Sequence, residues 1–396
     1  MTVPVQETLP LLLCLCRSPE DDWKIVPAYL EAFRRRGYEV LCVGGDIPLD
    51  TPIDDIFRNC PRLPVAVLHF VTALPLLPDG LAQCGVPTVC FHPDTYAFTD
   101  RRLRWSFLFD HAAVFHPGYE TLFQKGGHPG AFLLPYAVRR EHFDLPEIDR
   151  VFEIGWVGQS SGPIYQRRAR LLPLLAQSFW TNEWRKSYSL EEVAVVYRSS
   201  RIVVNIGRDD FPQDANMRVF EVLASGALLI TSLPTELSKL GFQDGVHFVG
   251  YSNDEEIIPL VRSFLRRESD RVRIANAGRA KVLQEHTYDE RISTLLSRLE
   301  QYSGRKPAPA RGWSEARARL AALDFFVGHQ VMDCALRQYL SLCGRDFRGT
   351  WEGGWLLARG FAKRVAHAFA MARKNSVRAA RRMRQDEKGT CQEPPN

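Results

Sequence analysis

The feature that most constrains the fold is a repeated alternation of short apolar runs with helical stretches. Between residue 10 and about residue 140 there are six such runs, separated by segments such as WKIVPAYLEAFRRRG. This alternation is typical of βαβ units, which build a parallel sheet. The runs are PLLLCLC, YEVLCVG, VAVLHFV, PTVCFH, AAVFH and AFLLPYAV. We therefore predict a Rossmann-like α/β domain over residues 1–142.

A second series of the same kind follows the polar connector REHFDLPEIDRV. It consists of FEIGWVGQ, QRRARLLPLLAQ, SLEEVAVVYRSS, RIVVNIG and NMRVFEVLASGALLITS, and further helices begin near residue 252. It predicts a second doubly wound domain over residues 151–303. Open α/β sheets bind ligands beyond the carboxyl ends of their strands, so two such domains on a short connector would face a ligand-binding cleft.

Size and composition agree with this organisation. A chain of 396 residues that is 45% hydrophobic can bury two cores and carry an appendage. No apolar run approaches the roughly 20 residues that span a bilayer, and the stretch TVPVQETLPLLLCLC lacks the basic start of a secretion signal. The nine cysteines form no CxxC pair. We expect a cytoplasmic setting.

The segment over residues 216–232 carries the chemistry. Arg218 and Glu221 lie three positions apart on a helix, so they point to the same edge, and a Ser225-Gly226 turn leads into an apolar strand. This R-x-x-E helix, small-Gly turn and strand closely resemble the signature of group-1 glycosyltransferases, above all the CgeB-like branch (spore maturation protein CgeB). The resemblance implies the GT-B fold, a nucleoside-diphosphate sugar as donor without a further cofactor, and Glu221 on the ribose hydroxyls. A planar arginine cation such as Arg218 suits the diphosphate.

Other donor-binding candidates lie on either side of that helix. The loop GWVGQSSGP follows the first strand of the second domain; its glycines allow close backbone approach, and the helix N-terminus after it favours anions. We predict donor contacts from Gly158, Gln159 and Ser160, and from Gly226 of the signature. Asn216 is equally well explained as an N-cap or as a ligand contact.

Two departures from the family pattern affect the donor site. The family places an Arg directly after the loop glycine and a Lys shortly beyond it, whereas this chain has Gln159 and later Arg167 and Arg168. Those arginines either replace the missing charges or form a solvated helix face. The family's E-x7-E pairing also requires an acid at position 213, where this chain has Gln213.

The first domain supplies the catalytic candidates. The segment PTVCFHPDTYAF resembles the family strand that ends in a histidine near the donor sugar, and His92 occupies that position. His92 would bond the sugar or diphosphate, and Asp94 would act as general base if the reaction inverts configuration. The alternative is a structural His-Pro turn. Asp209 and Asp210 have the wrong spacing for a metal-binding DxD, so we predict no metal.

Beyond residue 303, the sequence predicts a linker over 304–311 and a helical basic appendage over 312–396. Residues 351–384 place apolar side chains at near-helical spacing, carry Trp351 and Trp355 at their start, and contain no acid after position 357. Such a helix either lies on an anionic membrane surface or packs on the protein or a second subunit. In the first case, the surface would be the inner face of the membrane. The formal net charge of +5 is too small to argue for nucleic acid.

These patterns favour a glycosyltransferase that moves a hexose-like sugar to an unidentified acceptor bound mainly by the first domain. A nucleotide-sugar epimerase, a phosphorylase, or a non-catalytic GT-B binding scaffold are alternatives on the same fold. A dehydrogenase is disfavoured, because neither leading βα turn carries GxGxxG.

Overall fold

The first domain is built on a six-stranded parallel sheet. The computed structural model describes residues 9–16, 25–70, 75–213, 215–301, 313–343 and 346–366. The strands of this sheet are β1 (Leu11–Leu15), β2 (Glu39–Val43), β3 (Ala66–Phe70), β4 (Thr88–His92), β5 (His111–Val114) and β6 (Ala131–Leu133), in the order β2-β1-β3-β4-β5-β6. All six predicted runs are therefore confirmed as strands. β1, β3 and β4 are buried along their whole length, which explains why their sequences are continuously apolar.

Helices cover both faces of this sheet. They are α1 (Val26–Arg35), α2 (Ile53–Arg58), α3 (Thr99–Ser106), α4 (Tyr119–Lys125) and α5 (Arg140–Phe143). Gly37 follows α1 with a positive φ of 80°, as expected for a residue that ends a helix before the next strand.

The second domain has a four-stranded parallel sheet. Its strands are β7 (Phe152–Gly155), β8 (Ser200–Asn205), β9 (Leu228–Ser232) and β10 (Val249–Tyr251), in the order β10-β9-β8-β7. Its helices are α6 (Gln166–Ser178), α7 (Leu190–Arg198), α8 (Met217–Ser225), α9 (Ile257–Arg266), α10 (Glu268–Glu285) and α11 (Tyr288–Gln301). Among these strands and α-helices, β10 had no counterpart in the sequence prediction.

Helix α11 returns from the second domain to the first. Arg35 on α1 forms hydrogen bonds of 3.1 to 3.2 Å with Asp289, and the rings of Tyr29 and Tyr288 lie 5.1 Å apart. The buried Arg291 donates to the carbonyl oxygens of Pro135 and Tyr136 at 2.8 and 3.1 Å. These contacts join the α1 side of the first domain to the last helix of the second.

The helices beyond the predicted linker are not a separate body, contrary to our expectation. They are α12 (Glu315–Gly328), α13 (Met332–Leu342) and a helix over residues 347–366, here α14. Leu323, Phe325 and Phe326 of α12 are fully buried in the core of the first domain, where the Phe325 ring lies 5.3 Å from that of Trp105. The apolar face of α12 is thus satisfied by the first sheet. The part of the predicted basic helix beyond residue 366 lies outside the described residues.

Candidate functional site

Loops from both domains meet at the carboxyl ends of their strands. Tyr96, after β4, stacks on Phe211, after β8, with ring centroids 4.2 Å apart. Arg208 donates from Nη1 to the Tyr96 hydroxyl at 2.9 Å. The carboxyl edges of the two sheets therefore face each other, and these are the edges at which open α/β sheets bind ligands.

Arg218 makes several contacts at the carboxyl edge of the second domain's sheet. From the first turn of α8 its Nε donates to the Val157 carbonyl at 2.9 Å, and its Nη1 donates to Asn205 Oδ1 at 3.0 Å. The guanidinium carbon lies 4.8 Å from the centre of the Trp156 ring. Arg218 thus links α8 to the ends of β7 and β8, next to the turn at Gly158.

Glu221 follows Arg218 by one helical turn and is half-buried, so its carboxylate is not sealed in a core. Burial, reinforced by the negative charge of Glu221, raises the pKa of Tyr197. The hydroxyl of Tyr197 donates to the Val157 carbonyl at 3.4 Å. Glu221 therefore lies near Tyr197, which contacts the same Val157 carbonyl as Arg218, and the ribose contact itself stays a prediction.

The turn after β7 is open. Gly158 and Gln159 are exposed, Ser160 is half-buried, and Gly158 has a φ of +139° that favours glycine. A Cβ placed on Gly158 would lie 2.2 Å from Nη2 of Arg218. The glycine is therefore required for the arginine to sit against this turn.

Asn216 does not cap α8 through its side chain. It precedes the helix, forms no side-chain cap bond, and lies with Nδ2 3.5 Å from Asn205 Oδ1. Its Oδ1 is buried and has no hydrogen-bond partner among the described residues. Asn216 therefore occupies the N-cap position of α8, as one of our two explanations expected, but without a side-chain capping bond, and ligand contact stays a prediction.

Arg167 and Arg168 of α6 do not form a solvated face. Arg168 is buried, donating from Nε to the Ile206 carbonyl at 2.9 Å and from Nη1 to the Gln159 carbonyl at 3.0 Å. Arg167 forms an ion pair with Asp254. Arg168 therefore supports the Gln159 loop, whereas the side chain of Arg167 is engaged by Asp254.

Asp209 occupies the N-terminus of α6, which we expected to attract the donor's phosphates. Its carboxylate accepts from the backbone amides of Gln166 and Arg167 at 2.5 and 3.3 Å. Asp210 accepts from Nε and Nη2 of Arg208 at 2.9 and 2.8 Å. The helix end is thus already capped by an acid of the protein, and both adjacent acids have structural partners.

Gly226 lies at the wrong end of α8 for donor binding. It ends the helix with a φ of 69°, nine residues after Met217, beside Arg150 and Arg279. A nine-residue helix is about 13 Å long, so Gly226 is far from the turn at Gly158. The positive φ of this residue, rather than a ligand contact, explains why glycine occurs at this position.

His92 does not line the cleft, contrary to the sequence prediction. Its side chain is fully buried, with the rings of Trp105 and Phe123 at 4.6 and 5.3 Å, because it lies on the face of β4 that α3 and α12 cover. Burial lowers the pKa of His92 well below the usual histidine value. A direct contact from His92 to a sugar is incompatible with this position.

Asp94, two residues further, is exposed at the cleft. The hydroxyls of Tyr96 and Tyr136 both donate to its Oδ1 at 3.1 Å, and its backbone has a φ of 51°. Through Tyr96 it is connected to Arg208 of the second domain. Asp94 is therefore the predicted catalytic residue that the structure leaves accessible.

A second contact between the domains, which the sequence did not predict, involves His116 and Glu236. His116, after β5, is fully buried, and its Nδ1 lies 2.9 Å from Oε2 of Glu236 in the loop after β9. The same oxygen accepts from the backbone amide of Ala215 at 3.1 Å. Glu236 thus brings an acid beside Gln213, the position where the family pattern has an acid and this chain does not. A histidine directly after a predicted strand was the signal for His116; nothing in the sequence pairs it with Glu236.

No group of three or more metal-ligating His, Cys, Asp or Glu side chains occurs within the described residues. Asp209 and Asp210 are the acids that we considered for a metal site. Asp209 caps α6, and Asp210 binds Arg208.

Comparisons with known proteins agree with this architecture. Residues 162–297 match a family model described as glycosyl transferase-like. No curated protein matches the chain. Among solved structures, the chain is similar to Anabaena HepE in complex with UDP and glucose, with 10% identity, a TM-score of 0.51, and coverage of 73% of this chain and 99% of that one. For sucrose-phosphate synthase from Thermosynechococcus elongatus and a glycosyltransferase from Rickettsia africae ESF-5, the values are 10% identity, TM-score 0.52, and coverage of 75% and 100%. These likenesses show the fold, and the predicted GT-B architecture is confirmed.

Proposed function

We propose that the protein is a CgeB-like GT-B glycosyltransferase that transfers a hexose-like sugar from a nucleoside-diphosphate sugar to an acceptor. The family match over residues 162–297 and the shared fold support this proposal. The observation that carries it is the cluster around the Gly158 turn. There Arg218 is held by Val157 and Asn205, with Glu221 one helical turn away.

In this proposal the second domain binds the donor. The Glu221 carboxylate accepts hydrogen bonds from the two ribose hydroxyls, since an ionised carboxylate offers several acceptor sites. Arg218 stabilises the negative charge that grows on the diphosphate as it leaves. The backbone of Gly158, Gln159 and Ser160 approaches the phosphates, and the buried Arg168 fixes that loop.

Asp94 is the proposed general base. The acceptor hydroxyl attacks the anomeric carbon, the bond from that carbon to the phosphate oxygen breaks, and its electron pair leaves with the diphosphate. The proton of the attacking hydroxyl passes to Asp94, whose Oδ1 is held by Tyr96 and Tyr136. This scheme inverts configuration at the anomeric carbon.

The proposed reaction uses neither a metal nor a cofactor beyond the donor. The support for this proposal is the engagement of Asp209 with α6 and of Asp210 with Arg208. The positive charge that stabilises the leaving group would come from Arg218 instead.

A thermal-shift panel of nucleoside diphosphates and their sugars tests donor binding. HepE was solved with UDP and glucose, so UDP-glucose is the first ligand to try. A ligand at about 100 times its Kd should stabilise the protein by about 2.7 kcal/mol. Stabilisation by one nucleotide series, lost in Glu221→Ala and kept in the exposed-acid control Glu300→Gln, would support the proposal. No stabilisation by any member would contradict it.

A non-catalytic scaffold is the second candidate, and the burial of His92 favours it, because the predicted sugar contact is missing. Slow hydrolysis of a bound donor to free sugar and nucleoside diphosphate would identify an enzyme. Donor binding without any turnover, with or without a panel of acceptors, would favour the scaffold.

A further inference from the structure

Helix α14 has two different faces. One face is buried against α12 and α13, and Leu357 on this face is 6% exposed. A Cβ on Gly353 would lie 3.2 Å from Tyr339 of α13, and a Cβ on Gly360 would lie 3.0 Å from Val327 of α12. The glycines thus let the helix lie close to its neighbours. This packing fixes which side of α14 points outward.

The outward face is an exposed apolar stripe. It consists of Phe347, Trp351, Trp355, Phe361 and Val365, whose exposed fractions are 91, 76, 59, 45 and 53%. At 100° per residue these five positions fall within an arc of about 120°. A protein does not usually expose such a contiguous aromatic stripe unless the surface has a partner.

Cations flank this stripe. Helix α14 carries four cationic side chains and one acidic one, and Arg359 lies with its guanidinium 5.2 Å from the centre of the Trp355 ring. A neighbouring cavity of about 520 Å³ is lined by Phe98, Arg101, Arg104, Arg359 and Lys363, among others. Asp324 pairs with both Arg101 and Arg104, so Arg359 and Lys363 provide most of the unbalanced charge.

We propose that α14 and the start of α3 form a membrane-docking surface that lies in the headgroup layer of an anionic bilayer. Tryptophan and phenylalanine favour that boundary, and the flanking cations favour anionic headgroups. No helix among the described residues is long and apolar enough to cross a membrane. A symmetric contact between two copies would place the net positive charge of one α14 next to that of the other, which disfavours self-association.

The docking surface adjoins the proposed active site. Phe98, which lines the basic cavity, is the last residue of the loop that carries Asp94 and Tyr96. A protein held by α14 would therefore present the acceptor side of its cleft close to the lipid. The docking proposal does not depend on the sugar chemistry.

Vesicle co-sedimentation of the full chain tests docking. Vesicles of equal parts phosphatidylcholine and phosphatidylglycerol should bind the protein at low salt, and pure phosphatidylcholine vesicles should bind it far less. The double variant Arg359→Gln/Lys363→Gln should weaken binding about 25-fold, since each surface cation contributes about fivefold. Trp351→Gln/Trp355→Gln should weaken binding by on the order of tenfold at any salt concentration.

Matched controls come from the second domain. Trp180→Gln removes another exposed tryptophan, and Arg262→Gln/Arg266→Gln removes two exposed arginines. Both controls should bind vesicles like the wild type, and all variants should keep the wild-type thermal midpoint. If the α14 variants bound vesicles as well as the wild type, the proposal would be overturned, since the cations beyond residue 366 would then be sufficient for binding. Concentration-dependent dimerisation that Trp351→Gln/Trp355→Gln abolishes, without vesicle binding, would assign the stripe to self-association instead.

Discussion

Replacing Gly158 by alanine should separate backbone strain from donor binding. The residue has a φ of +139°, which costs a residue with a Cβ about 1 to 3 kcal/mol. The new Cβ would also meet Nη2 of Arg218 at 2.2 Å, so the guanidinium must shift, which perturbs its hydrogen bond from Nε to the Val157 carbonyl. A hydrogen bond from a charged group contributes about 1.5 to 3 kcal/mol. If Arg218 binds the diphosphate, this displacement should weaken nucleotide binding by about 10- to 100-fold.

Gly162 in the same loop provides the matched control. Its φ is +133°, and a Cβ there would meet nothing closer than Tyr165 at 3.5 Å. Gly162→Ala should therefore lose a similar amount of stability in urea unfolding while its nucleotide affinity, measured by calorimetry, stays close to that of the wild type. Equal losses of affinity in both variants, or none in Gly158→Ala, would refute the assignment of Arg218 to the donor.

Three further outcomes follow from the site and the core. Asp94→Asn should lower kcat by about 10²- to 10⁴-fold and leave the nucleotide Kd unchanged, as measured by steady-state assay and calorimetry; full turnover would exclude Asp94 as the base. Turnover should persist in excess EDTA, whereas complete loss restored by manganese would show a metal requirement. Burial lowers the pKa of His69 and of His128 to about 4. The unfolded state therefore binds more protons below the ordinary histidine pKa of about 6.5, so stability is complete above that pH and falls on acidification. Each histidine should cost about 2 kcal/mol between pH 7 and pH 5 in urea unfolding, and a flat profile would contradict this.

The sequence predicted the secondary structure well because its apolar runs are nearly uninterrupted. Runs such as PTVCFH and RIVVNIG are buried on both sides of parallel sheets, and the structure has β4 and β8 there. The three-residue β10 was missed because VGY carries little periodic signal.

The candidate site was only partly predictable. The helical spacing of Arg218 and Glu221 puts them one turn apart on α8, and the structure places Arg218 beside the Gly158 turn. The orientation of His92 depends on α12, which returns more than 200 residues later to cover that face of the sheet. The contact of His116 with Glu236 likewise joins residues 120 positions apart. Such contacts follow from tertiary packing, which local patterns do not contain.

The proposed function depends on Glu221 holding the ribose of a nucleotide donor. Calorimetry with a ribonucleoside diphosphate and its 2′,3′-dideoxy analogue, on the wild type and on Glu221→Ala, tests it most directly. The wild type should bind the ribonucleotide more tightly, by about 10-fold or more, because two hydrogen bonds to a charged acceptor are lost in the analogue. Glu221→Ala should bind both ligands equally. A preference for the ribonucleotide that persists undiminished in Glu221→Ala would contradict the claim.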